Sequence, residues 1–545
     1  MSVMCLLPFS CSLEEETRTE VEKKNYMNNA EEAKDVLLGV YRTNTLDAMY
    51  GYYLSILFNL GTDISQVEGS GNENFRIIPT NSFPTTQSEV QQTWAALYTG
   101  IYRANDFLER ISNKIGSYTT TDKKLATLYI AEARALRGMF YFELVRRFGN
   151  VVLMTSTQMS NQNPATYVQS APEKVYEYIE DDLLYACDIL PYATDDQYRE
   201  SNDYRFSKGA ALGLLTKVYA TWAGYPVKDE SKWEAAAKTA RILVESGKHG
   251  LLKDYEQLWK NTCNGTWDPT ESLIEISFYS PTVSGNSDPV GRIGKWNGVK
   301  TTAIAGVRGS CAANVKVVHT FVLDWREDVS DDLSIANYQY TDTKKSLWVA
   351  GASDTDESAA EKDADPTKAQ KNKQNYTPAK WDIQKYVTTN SFINNDKSNV
   401  NWYFLRYADV LLLYAEVLNE WKHGPDAEAY NAINAVRRRG YGNPSNTSAC
   451  DLPQGLDETS FREAVRKERS YELSFEGHRR QDLIRWGIYY KTVQATAKEL
   501  GYWWEGTGSP NYSVATYTEE GKHELFPIPQ RDMDLCIQFN QNPKW

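Results

Sequence analysis

Four short stretches in the middle of the chain set flat aromatic faces beside amides, carboxylates and guanidinium groups: Trp296-Asn297, Trp325-Arg326-Glu327-Asp328, Tyr338-Gln339-Tyr340 and Trp348. A large rigid ring offers an apolar face with a polar edge. Such a face stacks against a ligand that presents C–H patches, while the neighbouring Asn, Asp, Gln and Arg groups meet its hydroxyls. An earlier stretch, Asn72, Asn74, Phe75 and Arg76, repeats the combination and forms a second candidate rim. Trp503-Trp504-Glu505, between Gly501 and Gly506, is a third candidate platform. The ligand-binding candidates are therefore Trp296, Trp325, Tyr338, Trp348, Asn74 and Arg76. Trp94 reads as structural, because it continues a helical stripe with Tyr98, Ile101 and Tyr102.

Other chemistries find little support. Hydrolysis of a glycosidic bond needs two carboxylates about 5–10 Å apart across a cleft, and no pair among the 72 acidic residues is marked by context. The five histidines, His249, His319, His423, His478 and His523, form no HExxH set. No GxxxxGK[ST] loop is present, and no GxGxxG follows a strand pattern, so a nucleotide cofactor is not expected. No catalytic residue, cofactor or metal is assigned, and a structural calcium in an Asp-rich loop is not predicted. With 59 Lys and Arg against those acids, the formal net charge is −13, which repels phosphate backbones and argues against nucleic acid as a partner. The seven cysteines are widely spaced and contain no CxxC pair.

The elements that must position these rings are mostly helical. Apolar residues recur at helical spacing over 31–50, 88–111, 122–148, 172–190, 207–223 and 231–246, and again over 402–421, 426–439 and 460–475. Ser231 and Asp426 are placed to cap helices, Ser460 with Glu463 reads as a capping box, and Gly440 as a helix terminator. Helices with one apolar stripe cannot bury it singly, so they are expected to stack as antiparallel pairs, with the second set packing back on the first. Between about 248 and 400 the pattern breaks into Gly, Asn, Asp, Ser and Thr, with strand-like pieces at 273–279 and 383–388. Long loops held by a rigid scaffold are where binding residues concentrate.

At the N-terminus an apolar run, Val3 to Phe9, precedes Cys11, and Glu14-Glu15-Glu16 follows. That arrangement suits a lipidated cysteine that becomes the first residue of an exported chain, and several acyl chains on it would hold the body to a membrane. Residues 1–20 are read as a signal remnant, anchor cysteine and flexible tether.

Several motifs then occur in a distinctive order: Ala131-Glu132-Ala133-Arg134-Ala135-Leu136-Arg137-Gly138-Met139-Phe140-Tyr141-Phe142, then Leu405-Arg406-Tyr407-Ala408-Asp409-Val410-Leu411-Leu412-Leu413-Tyr414-Ala415-Glu416, then Phe475-Glu476-Gly477-His478-Arg479-Arg480, and finally Leu525-Phe526-Pro527-Ile528-Pro529. Together they resemble the SusD/RagB family of outer-membrane nutrient-binding lipoproteins from Bacteroidetes. The resemblance implies a mostly α fold, in which tetratricopeptide-like helix pairs form a right-handed superhelix with an irregular, loop-rich ligand-binding portion. It implies one body over 21–545, with the helical scaffold at about 25–247 and 401–485 and the binding portion at about 248–400, with contributions from 61–87 and 488–524. It further implies a surface-exposed lipoprotein, lipidated at Cys11, that passes oligosaccharide or polysaccharide fragments to a SusC-like TonB-dependent transporter. The alternatives are a peptide-binding member of the same family, a transporter-associated scaffold and a glycoside hydrolase. Within the motifs, Arg406 and Asp409, three residues apart, are expected to pair on one helix face. The charges from Glu468 to Asp482 are expected to pin the helices together.

Overall fold

A computed structural model describes residues 26–67, 73–278, 291–304, 309–318, 320–321, 377–387, 398–442, 450–503 and 512–545. Asn29 opens the first helix, α1 (Ala30–Tyr41), its side chain accepting from the Glu32 amide at 2.9 Å. A short turn, α2 (Asn74–Ile77), leads to two long helices, α3 (Ser88–Lys114) and α4 (Thr120–Phe148). Thr119 caps α4 and Gly149 closes it at φ 66°. Then come α5 (Pro172–Ile189), with proline in its first turn, α6 (Lys208–Ala223), capped by Ser207, and α7 (Lys232–Glu245). Successive helices from α3 to α7 pack against one another; α3, α5 and α7 bury one stripe, whereas α6 and the second half of α4 are buried nearly all round. Where α3 meets α4, a β-carbon on Gly100 would lie 2.7 Å from the Phe140 ring, so only glycine lets the two helices approach this closely.

The remaining described helices are α8 (Tyr255–Asn264), the turn α9 (Ile383–Tyr386), α10 (Tyr407–Lys422), α11 (Ala427–Gly440), α12 (Glu458–Glu472), α13 (Arg479–Arg485), α14 (Tyr489–Trp503) and the short pieces α15 (Val514–Tyr517) and α16 (Gln530–Leu535). Helix α10 packs on α6 and α7 as well as on α11 and α12, so the second helical set closes on the first as the stripes require. The main apolar core joins residues from Met27 to Phe539, and a smaller cluster gathers Val318, Leu483, Tyr489, Val493 and Val514. The described cysteines, Cys187, Cys263, Cys311, Cys450 and Cys536, are free and buried.

Local signals misplaced several boundaries. The helix expected over 31–50 ends at Tyr41: the chain tightens into a 3-10 turn over Arg42–Thr45 and then breaks at Leu46, which is extended (φ −63°, ψ 149°) and whose carbonyl takes the Met49 and Gly51 amides. Trp402–Arg406 is a fully buried strand instead of the start of a helix. It pairs antiparallel with Ser272–Ile276, and an apolar run at a buried sheet carries no periodicity to distinguish the two states. Ile383–Tyr386 is a helical turn instead of a strand, since the Asp382 carboxylate caps the Gln384 and Lys385 amides. A second strand pair joins Ser65–Val67 to Val315–Val317. Asp457, not Ser460, caps α12, accepting from the Ser460 amide at 2.7 Å. Asp229, not a Ser231 cap, collects the Ser231 amide and hydroxyl ahead of α7. Gly440 stays helical, and Gly442 takes the left-handed turn at φ 68°.

Arg406 and Asp409 do not pair. Arg406 ends the strand, whereas Asp409 lies in the first turn of α10, and each finds other partners. It meets Glu476 (2.6 Å), Glu271 (3.0 Å) and Glu472, while Asp409 takes Lys217 and Arg469, each at 2.7 Å. Arg469 continues to Asp482, and Arg485 bridges Asp482 to Glu416. These fully or nearly buried charges tie the strand pair, α6, α10, α12 and α13 together. His478 belongs to the same network: the Lys217 ammonium lies 2.8 Å from its Nδ1, and burial, reinforced by that ammonium, pushes its pKa down to about 3.

Candidate ligand-binding site

The site is built where three chain segments meet. After α1, tight turns bring Gly51, Tyr52 and Tyr53 to the surface of the core. The Gly51 carbonyl accepts the Arg292 amide at 2.8 Å, and Gly291 forms a two-way backbone bridge with Ser398, which fixes the turn that carries Trp296. Gly294 is required in that turn. Its φ is 77°, and a β-carbon there would meet Ile383 and Val400 at 2.9 Å. The third segment is α2, held from behind by buried Asn81. The Asn81 side chain donates to the Tyr489 hydroxyl at 3.0 Å and the Thr518 hydroxyl at 2.8 Å, and accepts from Arg480 at 2.8 Å.

Trp296 stands between Tyr52 (ring centroids 5.6 Å apart, planes at 40°) and Phe75 (5.5 Å, edge-on). Tyr53 extends the row, 5.5 Å from Tyr52. Trp296, Phe75 and Tyr53 are half-buried, so part of each ring faces outward, whereas the indole N–H of Trp296 is turned inward. The Arg76 guanidinium lies 4.3 Å over Phe75 and pairs with Glu73 at 2.6 Å, which holds the Glu73 carboxyl below its usual range. Arg292 lies 4.8 Å over Tyr52 and pairs with Asp47 at 2.7 Å. At the other edge Asn74, exposed, donates to Glu89 at 2.7 Å, and Ser88 donates to the same carboxylate at 2.8 Å. The Tyr53 hydroxyl donates to Gln92 at 3.1 Å, and burial pushes its pKa up to about 12, so it stays a neutral donor.

Trp296, Asn74, Phe75 and Arg76 are thus brought together across more than 200 residues of chain. Trp325, Tyr338, Trp348 and Cys11 lie outside the described residues, as do Asn72 and the side chains of the Trp503-Trp504 platform. Trp94 is buried, donating to Asp532 at 3.2 Å. Sequence reasoning missed Tyr52, Tyr53, Glu89, Gln92 and Arg292. The two tyrosines sit inside an apolar run that reads as core, and only the Gly51 break before them hinted at a turn. A separate cavity of about 530 Å³ lies between α7, α10 and α11, but its two tyrosines, Tyr407 and Tyr414, are 6% and 3% exposed and serve packing. Among the described residues no cluster of His, Cys, Asp and Glu is arranged to hold a metal ion.

Stacked helix pairs here carry an irregular aromatic surface with a polar rim. Residues 325–545 match a family model described as the SusD family, and residues 13–220 match one described as starch-binding associating with outer membrane. A SusD homolog from Bacteroides thetaiotaomicron VPI-5482, solved by crystallography, is 99% identical, with a TM-score of 0.91 over 97% of this chain and all of that one. SusD-like protein P25 of Formosa agariphila is 24% identical over 97% of this chain and 94% of its own length. A laminarin binding SusD-like protein shares the fold at 24% identity, with a TM-score of 0.66 over 95% of this chain and all of that one. The chain belongs to the SusD/RagB family of Bacteroidetes outer-membrane proteins, whose members bind ligands without catalysing a reaction.

Proposed function

We propose that the chain captures oligosaccharides or polysaccharide fragments on the Tyr53–Trp296–Phe75 surface and delivers them to a SusC-like TonB-dependent transporter. The observation that carries this reading is the convergence of Trp296 and Phe75 with Asn74 and Arg76, a ring floor with amide and guanidinium groups at its edge. Stacking on such a floor tolerates a repeating polymer, and the polar edge selects hydroxyl geometry. The relatives point the same way, one being described as laminarin binding and one family model as starch-binding. In this reading Cys11 carries the lipid that holds the protein at the cell surface. Segments of about 248–400, 61–87 and 488–524, joined by the turn at Tyr52 and Tyr53, form the binding portion on the helical scaffold of about 25–247 and 401–485.

Calorimetric titration with laminarin, maltoheptaose and a panel of short peptides tests the proposal. A glycan is expected to bind in the micromolar to millimolar range, between about −8 and −4 kcal/mol. Asn74→Ala and Arg76→Ala, both at the edge, are expected to weaken binding with melting unchanged, and Trp296→Ala to abolish it. Glycan affinity unaltered in all three variants would place the ligand elsewhere, and binding of peptides in place of glycans would overturn the ligand class.

A further inference from the structure

Helix α3 has two used flanks. Glu89 and Gln92 face the site described above, whereas Gln91, Trp94, Ala95, Tyr98 and Tyr102 recur at three- and four-residue spacing on another side of the same helix. There they form the wall of a cleft of about 330 Å³, closed by the turn that bears Tyr167 and by the short helix Gln530–Leu535. That volume is within the roughly 300–1,000 Å³ of small-ligand sites. We propose that this cleft is a second carbohydrate subsite, which takes a short run of pyranose rings from a glycan whose other units occupy the first site.

The lining combines rings with polar groups as the first site does, built from another flank of α3 and from the segments around Tyr167 and Gln530. Half-buried Tyr98 forms the floor, backed edge-on by the buried Trp94 ring with centroids 5.0 Å apart. Tyr98 is locked in place, its hydroxyl donating to the Val152 carbonyl at 3.1 Å and accepting the Val152 amide at 2.9 Å. Tyr167 is likewise fixed, donating to the Met159 carbonyl at 2.6 Å. Tyr102, 36% exposed, offers an open ring at the mouth. Polar groups stand beside the rings: the Gln91 amide, the Arg531 guanidinium, and the Asp532 carboxylate, which accepts from Trp94. Rings immobilised by their own hydrogen bonds lose little freedom when a ligand stacks on them. The two sites share a rigid support, because Thr85, just ahead of α3, exchanges hydrogen bonds with Gln530 through both backbone (3.2 Å) and side chain (3.1 Å). A polymer that engages both gains from effective concentration, while a short oligosaccharide does not. This inference rests on the glycan-binding reading, and the test separates the two.

Ala95→Leu fills the cleft from an exposed helical position, and Tyr102→Ala empties its mouth; neither residue belongs to the first site. Both variants, with Arg76→Ala and the parent chain, are compared in affinity gels containing laminarin or amylopectin, and by calorimetry with short oligosaccharides. Ala95→Leu and Tyr102→Ala are each expected to weaken binding to the retarding polysaccharide by at least about tenfold and to leave the short oligosaccharide unaffected. Retardation equal to the parent in both, with loss in Arg76→Ala, would overturn the second subsite and keep the first. Loss in both with Arg76→Ala unchanged would keep the cleft and overturn the first site. A parent chain retarded by neither polysaccharide and silent in calorimetry would overturn both. Sedimentation showing a dimer that Ala95→Leu dissociates, with glycan binding unchanged, would make the cleft a surface for a second copy and overturn the proposal.

Discussion

Replacing Arg406 by methionine is expected to destabilise the fold by about 3–5 kcal/mol, the range for removing one partner of a buried ion pair. The residue is 0% exposed, and its guanidinium reaches Glu476 through Nε (2.6 Å) and Nη2 (2.9 Å), Glu271 through Nη1 (3.0 Å), the Glu472 carboxylate, and the Glu472 carbonyl (2.7 Å). Arg439 supports Glu271 and Glu472, and Lys380 supports Glu476. Three carboxylates therefore face three cations in a region closed to water. Methionine keeps much of the volume but leaves one negative charge without compensation. Glu476→Gln alone leaves the opposite imbalance and is expected to be similarly harmful. Together the two changes restore neutrality, so the double variant should lose less than the sum, with a coupling of about 1–3 kcal/mol. Urea unfolding followed by tryptophan fluorescence measures all four corners of the cycle. If Arg406→Met stays within about 1 kcal/mol of the parent, a value typical of exposed pairs, or if the two losses simply add, charge balance is not what holds the strand pair to α12.

Glu275 is buried and accepts from Ser272 (2.7 Å) and Asn401 (2.8 Å), and burial raises its pKa from 4.5 to about 7. An acid with a raised folded pKa loses stability as pH climbs through that window, here by up to about 3 kcal/mol; Glu275→Gln should therefore unfold at higher urea than the parent at pH 8, with the difference vanishing near pH 4.5. Asn81→Ala removes the three hydrogen bonds behind α2 and should cost about 1–3 kcal/mol, with faster amide exchange over 73–82 and weaker ligand binding; unchanged exchange there would mean that α2 is held by other contacts. Gly100→Ala drives a methyl into the Phe140 ring and should destabilise by about 1–3 kcal/mol, seen as a lower urea midpoint; a stabilised variant would show that α3 and α4 separate easily.

Periodicity made the helices legible, because a stripe that must be buried repeats every 3.6 residues whatever it packs against. The ordered motifs, from Ala131 through Phe526, made the family legible in the same way. Caps read less well: Asp426 was clear, but Asp457 took the role expected of Ser460, since neighbouring residues with similar side chains compete for one helix end. Trp402–Arg406 escaped because a strand buried on both faces has no alternation to display.

By itself the sequence determined which rings are accompanied by polar groups, and hence the chemistry proposed for a site made from them. Only tertiary structure decided which of them meet. Trp296 and Phe75 are separated by more than 200 residues, and their contact depends on the Gly51–Arg292 hydrogen bond, the turn at Gly294 and the anchor at Asn81. The partner of Arg406 was equally hidden, for spacing along one helix favoured Asp409, whereas the strand ending at Arg406 turned the guanidinium toward carboxylates 66 and 70 residues further along the chain. Local spacing records what one element does alone, and long-range pairing depends on how the packed helices bring distant segments together.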